Sequence, residues 1–195
     1  GLCTALAAAR HGISVVLIHD RPVLGGNASS EIRMHICGAR GKDNRETGIV
    51  EELMLENFYT NPGLKYPLWD ATLYSVAIQQ PGLTLLLNSS VFDADCEGNV
   101  IRSVTAWQSN AETFHTVYAS YFADCSGDSI LAPLTGALYR YGREAKSEFG
   151  ETIAPDVADN KTMGMSCLFQ IRETDHKVPF VKPEWAYTYK TDDDL

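Results

Sequence analysis

The chain has 195 residues, of which 45% are hydrophobic and 21% charged, and its formal net charge is −9 at pH 7. This composition is typical of a globular protein with a sizeable core. A nucleic-acid-binding surface would be basic, so the acidic balance argues against such a partner. No apolar run approaches the roughly 20 residues that a membrane-spanning helix needs, so a membrane partner is not predicted either.

The cysteines predict neither a disulfide framework nor a metal site. They are odd in number, widely spaced and without a CxxC pair: Cys3, Cys37, Cys96, Cys125 and Cys167. Paired cysteines at close spacing are the usual signature of both kinds of site. We expect reduced, structural thiols, which weakly favours a cytoplasmic location unless a leader peptide precedes Gly1.

The first thirty residues predict a helix, a strand and a loop. Residues Leu2 to His11 are rich in alanine and leucine, and Gly12 is placed to end a helix. The run Ile13 to Ile18 is apolar and rich in β-branched residues, as in a parallel strand that is buried on both faces. The proline, glycines and polar residues of Arg21 to Ser30 indicate a loop.

In the middle of the chain, two segments with helical periodicity are followed by strand-like runs. Two amphipathic helices are predicted at about 48–80, with the apolar faces Val50, Leu53, Met54 and Phe58, and Trp69, Leu73, Val76 and Ala77. A β-meander is predicted at about 83–124, from "LTLLLNSSVFDAD", "NVIRSVTAW" and "TFHTVYASYFAD". A glycine turn and a short helix that ends at Gly136 follow.

Glycine spacing at the start of the chain indicates a dinucleotide-binding unit. If Gly1 is the third glycine of a G-x-G-x-x-G turn, the strand tip at His19 falls close to the motif's acidic position, about 20 residues on. Ala5 would then be the small residue that packs the helix on the strand. The N-terminus of such a helix presents unpaired amides to a pyrophosphate. On this interpretation the chain lacks the first strand and two of the three glycines.

Several longer segments resemble the FAD-dependent oxidoreductase family of the glutathione-reductase-like flavoprotein superfamily. They include "HDRPVLGGNASSEIRMHICGA", "RETGIVEEL", "LWDATLY", "YFADCSGDSILAPLTGALYRYGREAKSEFGE" and "MGMSCLFQ", and the likeness extends from Gly1 to about Trp185. The resemblance implies FAD as cofactor and a small-molecule substrate. It leaves the substrate, the electron acceptor and the oligomeric state open.

The resemblance also implies a set of cofactor-binding residues. Gly25 and Gly26 would let the backbone approach the flavin nucleotide, because only glycine permits such contact at positive φ. The implied set is Gly1, His19, Asp20, Arg21, Gly25, Gly26, Asn27, Ser29, Ser30, Val91, Ser126, Gly127 and Asp128, with Cys125 passing beside the cofactor. An ordinary turn and helix cap would explain Ser126 and Asp128 equally well.

The strand tip departs from the family pattern. Relatives place an acidic residue where this chain has His19, and the carboxylate follows one residue later as Asp20. A neutral imidazole can accept one hydrogen bond from the ribose. We favour Asp20 as the ribose ligand, because a carboxylate can accept bonds from both hydroxyls.

Candidate catalytic residues come directly after the glycine loop. In "SSEIRMHI" the polar residues Glu31, Arg33 and His35 alternate with apolar ones, so a strand here would have one polar face. Arg33 could bind an anionic substrate or the charge of a reduced flavin, and His35 could exchange a proton near neutral pH. An exposed edge strand with solvated charges is the alternative.

Taken together, these patterns predict an α/β fold with a three-layer, Rossmann-like FAD-binding domain, formed by a parallel sheet and a β-meander. We expect that domain at 1–150 and an incomplete substrate or cap domain at 151–195. The predicted function is hydride transfer from a small-molecule substrate to flavin N5. The alternative is a flavoprotein-like scaffold that no longer binds FAD. We expect the chain to be a fragment truncated at both ends and inactive by itself.

Overall fold

The computed structural model describes residues 1–38, 46–163, 171–191 and 193. The chain divides into two compact units, Gly1–Thr162 and Met163–Leu195. Within the described residues, the helices and strands belong to the first unit, while those of the second unit form turns and irregular backbone. Cys167 and most of "MGMSCLFQ" lie outside the described residues. The predicted domain boundary at 150 stays a prediction.

The first unit contains helices and two kinds of sheet. Its elements are α1 (Leu2–Arg10), β1 (Val15–Ile18), a 3-10 turn (Gly26–Ala28), α2 (Gly48–Thr60), α3 (Tyr66–Gln79), β2 (Leu83–Leu86), β3 (Ser89–Glu97), β4 (Val100–Gln108), β5 (Thr113–Tyr118), α4 (Leu131–Thr135) and α5 (Lys146–Phe149). β1 pairs with β2 in parallel, and β3, β4 and β5 form an antiparallel sheet. This arrangement confirms the α/β class, whereas the three-layer, Rossmann-like form stays a prediction. Among the described residues, no helix has the length and apolar character needed to cross a membrane.

The predicted opening helix and strand are both present. Gly12 follows α1 with a φ of 83°, and Ala5 is buried, as expected for the small residue between helix and strand. The prediction that β1 is buried on both faces is wrong, because Val16 is 39% exposed. Within the described residues, β2 is the only strand beside β1, so the sheet is too small to enclose it.

The main core lies between the helices and the parallel strands. Leu24, Leu53, Leu73 and Ala77 form its buried centre, with partly buried residues from α1, β1 and β2 around them. The predicted face of α3 is therefore confirmed. The predicted face of α2 is confirmed at Leu53 and wrong at Phe58, which is 52% exposed because it lies in the last turn of the helix, beyond the core.

The predicted meander begins later and ends earlier than the sequence indicated. The run "LTLLLNSSVFDAD" forms two strands in different sheets, with β2 beside β1 and β3 beside β4. Asn88 separates them with a φ of 53°, a left-handed conformation that ends an extended strand. The antiparallel sheet thus covers 89–118, and the segment 119–124 is not a strand.

Candidate functional site

The tip of β1 places a histidine and an exposed carboxylate side by side. The His19 Nε2 atom lies 2.8 Å from the Val23 carbonyl oxygen. Because a carbonyl only accepts, Nε2 must carry the proton and donate this bond. The Asp20 side chain is 61% exposed, and its Oδ1 lies 3.8 Å from His19 Nδ1. One imidazole nitrogen therefore holds the loop after β1, while the neighbouring carboxylate faces solvent.

Arg21, one of the predicted cofactor-binding residues, forms an ion pair with Glu31. Its Nη1 donates to Glu31 Oε2 over 3.0 Å. This hydrogen bond raises the pKa of Arg21 above its ordinary value, and the charges of Glu31, Asp20 and Asp128 raise it further. The loop after β1, the residues after the glycine loop and the segment before α4 are thus within electrostatic reach of one guanidinium.

The glycine loop has the backbone conformation that the sequence predicted. Gly25 and Gly26 have φ values of 111° and 55°. A Cβ at Gly25 would lie 2.9 Å from Leu73 Cδ1, whereas a Cβ at Gly26 would meet open space. Ser29 is fully buried, and its hydroxyl donates to the Gly26 carbonyl oxygen over 2.7 Å. Ser29 therefore stabilises the loop from inside. Asn27 is exposed beside it.

Sequence reasoning missed the side chains of α3 that contact this loop. Trp69 Nε1 donates to the Ala28 carbonyl oxygen over 3.0 Å, and the Ser30 amide donates to Asp70 Oδ1 over 2.9 Å. The Tyr66 hydroxyl donates to the Arg33 carbonyl oxygen over 2.8 Å. One signal was available in "LWDATLY": Asp70 adjoins Trp69 and lies three residues before Leu73 on the predicted apolar face, and a carboxylate at such a position needs a polar partner.

Asp124, also absent from the predicted set, organises the segment before α4. Its carboxylate accepts hydrogen bonds from the Ser126 hydroxyl at 2.6 Å and from the Leu131 amide at 2.9 Å. Burial raises the pKa of Asp124, but bonds from the Ser126 hydroxyl and from the Ser126 and Leu131 amides outweigh it, so the pKa is lowered. Ser126 Oγ accepts from the Asp128 and Ile130 amides. The turn alternative therefore fits Ser126, whose hydroxyl accepts from amides that precede α4, whereas the amide of Leu131, the first residue of α4, bonds Asp124 and not Asp128.

Two further contacts bring predicted residues toward the start of α1 and the end of β1. A Cβ at Gly1 would lie 3.4 Å from the Cβ of Cys125, so the segment before α4 passes beside the N-terminus of α1. The Ser89 amide donates to the His19 carbonyl oxygen over 2.9 Å, which places the start of β3 at the tip of β1. Val91 is partly buried in β3 opposite Ala106.

The predicted strand through "SSEIRMHI" is wrong. Residues 33–38 have irregular backbone, and Arg33 has a φ of 61°, which an extended strand excludes. The Arg33 and Met34 amides donate back to the Ser29 and Asn27 carbonyl oxygens, so the chain turns. Arg33 Nε donates to the Ser30 carbonyl oxygen. His35 is exposed, with Nε2 at 3.5 Å from Cys37 Sγ. No single polar face joins Glu31, Arg33 and His35.

The first unit therefore combines a parallel strand pair and a glycine loop with a polar segment at the start of α1. The chain matches the family model described as FAD dependent oxidoreductase over residues 1–194, and it belongs to that family. Neither the curated proteins nor the solved structures include a match to this chain.

FAD is the cofactor of the family, and the predicted binding residues fit such a group. A Cβ at Gly26 or Gly127 would meet nothing within 4 Å, so both backbones are open to close approach. The first amides of α1 are potential anion donors, as at any helix N-terminus. Asp20 offers exposed acceptor oxygens for hydroxyl groups. Helix amides and carboxylate oxygens are the kinds of groups that bind the pyrophosphate and the ribose of a dinucleotide.

Proposed function

We propose that this protein is an oxidoreductase in which FAD receives a hydride from a small-molecule substrate. When bound, FAD supplies the hydride acceptor, N5 of its isoalloxazine ring, and an unidentified acceptor later reoxidises it. The observation that carries the proposal is the close approach of Cys125 to Gly1, because it brings the "ADCSGD" segment to the N-terminus of α1. In a dinucleotide-binding unit the pyrophosphate lies at this helix N-terminus, so the segment would border the cofactor.

For the adenosine end, we propose that Asp20 binds the ribose hydroxyls. His19 already uses one ring nitrogen to hold the Val23 carbonyl, which leaves a single nitrogen for other partners. Asp20 is exposed and can accept two bonds at once. Val91 would lie against the adenine, supported by the attachment of β3 to the tip of β1 through Ser89 and His19.

For the pyrophosphate and the ribityl chain, we propose the start of α1 together with the glycine loop and the segment before α4. Gly1 begins the helix, and Gly26 and Gly127 leave their backbones open. Asn27, Ser30, Ser126 and Asp128 would supply polar contacts, and Arg21 would offset the local negative charge. Ser29 would act indirectly, since its buried hydroxyl already bonds the loop.

Arg33 and His35 remain our candidates for substrate chemistry, as an anion-binding group and a proton carrier. Both side chains are exposed, which supports access to a ligand. The turn at Arg33 directs its Nε to the Ser30 carbonyl oxygen, so its remaining guanidinium donors would meet the anion. His35→Ala should slow flavin reduction by substrate. Unchanged turnover and an unchanged reduction rate would remove His35 from the mechanism.

We propose further that the 195-residue chain alone binds FAD weakly or not at all, because Gly1 is the one glycine of the G-x-G-x-x-G turn that it contains. Titration of this chain with FAD, followed by flavin fluorescence, tests the idea. Tight binding at one FAD per chain would contradict it.

Substitution at the tip of β1 tests the proposed function in the natural full-length protein. Asp20→Asn should raise the Kd for FAD about tenfold or more, because a hydrogen bond to a charged group is worth roughly 1.5–3 kcal/mol. His19→Gln is the matched control, since its amide can still donate to the Val23 carbonyl. Equal effects of the two changes would refute the assignment to Asp20. A wild-type protein that binds no FAD would instead favour the scaffold alternative.

A further inference from the structure

Helix α3 holds the backbone of the glycine loop and of the turn that follows it at Arg33 through three neighbouring side chains. Trp69 Nε1 donates to the Ala28 carbonyl oxygen, Asp70 accepts from the Ser30 amide, and the Tyr66 hydroxyl donates to the Arg33 carbonyl oxygen. Residues three and four positions apart share one helix face, so these side chains form one continuous contact surface. We name Tyr66, Trp69 and Asp70 the α3 clamp.

The loop backbone is folded on itself at the residues that the clamp contacts. The Ser29 amide donates to Gly26, the Arg33 amide to Ser29 and the Met34 amide to Asn27. Arg33 has a positive φ, which is costly for a residue with a side chain. The Arg33 guanidinium also lies 5.8 Å from the centre of the Tyr66 ring. The clamp therefore holds a conformation that this stretch would not adopt by local preference.

We propose that Tyr66, Trp69 and Asp70 are positioning residues for FAD. By fixing the glycine loop before the cofactor arrives, they reduce the ordering that binding would otherwise require. Preorganisation of this kind raises affinity without any new contact to the ligand. The proposal rests on the proposed function, because it assumes that the glycine loop contacts FAD.

The clamp can be tested by substitutions that remove the polar group of each clamp side chain in the natural full-length protein. Tyr66→Phe and Trp69→Phe each delete one donor to the loop, and each should raise the Kd for FAD about fivefold, the equivalent of one neutral hydrogen bond. Asp70→Leu should raise it about twentyfold, because its bond involves a charged acceptor. Asp70→Asn keeps an acceptor oxygen and should restore most of the affinity.

Matched controls come from α3 and from β4. Within the described residues, no hydrogen bond involves the Tyr74 hydroxyl, and Trp107 contacts Phe114 in the antiparallel sheet. Tyr74→Phe and Trp107→Phe should leave the Kd for FAD unchanged. Urea unfolding of every variant separates a general loss of stability from an effect on the loop.

Hydrogen exchange without FAD gives a second readout that does not depend on the cofactor. The clamp variants should exchange the amides of Ser29, Ser30, Arg33 and Met34 faster than wild type, while those of the antiparallel sheet stay protected. The proposal is overturned if the variants leave the Kd for FAD at its wild-type value, whether or not they change the urea midpoint or loop exchange. If the wild-type protein binds no FAD, the proposed function and the clamp proposal both fail. Normal Kd values in the clamp variants refute the clamp alone.

Discussion

Replacing Gly25 by alanine should destabilise the protein far more than the same change at Gly26. The Gly25 φ of 111° is a left-handed conformation that alanine rarely adopts, and a Cβ there would lie 2.9 Å from Leu73 Cδ1 and 3.3 Å from the Ser29 nitrogen. Left-handed backbone costs an alanine about 1–2 kcal/mol, and forcing an atom into a packed core adds about 1–3 kcal/mol. We therefore expect a loss of about 3 kcal/mol.

Gly26→Ala is the control, because its φ of 55° is left-handed but its Cβ would meet nothing within 4 Å. We expect a loss of about 1 kcal/mol from the backbone alone. Both changes restrict the unfolded chain equally, so this contribution cancels in the comparison. Urea unfolding at pH 7 measures both free energies. A difference below about 0.5 kcal/mol would refute the claim that Leu73 and the loop pack as described.

Three further predictions concern the core, an acid-sensitive turn and a surface ion pair. Leu73→Ala should cost about 3 kcal/mol in urea unfolding, since Leu73 is 2% exposed, and a loss below about 1 kcal/mol would contradict the described core. Asp124 has a lowered pKa, so its stabilising effect is complete above its ordinary value of 3.8 and is lost as the pH falls through the lower native value. Asp124→Asn should accordingly lose less stability than wild type between about pH 5 and 3, and equal losses would count against this. Glu52→Gln, which breaks an exposed pair with Arg10, should cost less than about 1 kcal/mol and less still in high salt.

Local signals in the sequence were sufficient to predict the first elements of the fold, from α1 to the glycine loop. An alanine-rich run followed by Gly12 predicted α1 and its end, and a β-branched run predicted β1. Gly25 and Gly26 marked a loop with positive φ, which the structure has. These features depend on residues close together in the chain, where propensity and glycine conformation decide the outcome.

Long-range contacts explain what the sequence could not reveal. The apolar run at 83–95 reads as one strand, but Leu83–Leu86 pairs with β1, and Asn88 turns the chain into another sheet. The alternation around Arg33 suggested a strand, whereas local bonds from the Arg33 and Met34 amides form a turn, to which the Tyr66 hydroxyl adds one bond from α3. A pairing partner many residues away decides the first outcome and a distant side chain contributes to the second, and periodicity carries no information about either.

The visible spectrum of the natural full-length protein, reconstituted with FAD and separated from free cofactor, tests the central claim most directly. We predict a yellow protein that retains about one FAD per chain, with a flavin band that bleaches on anaerobic reduction. A colourless protein after reconstitution would contradict the account and favour a scaffold that has lost its cofactor.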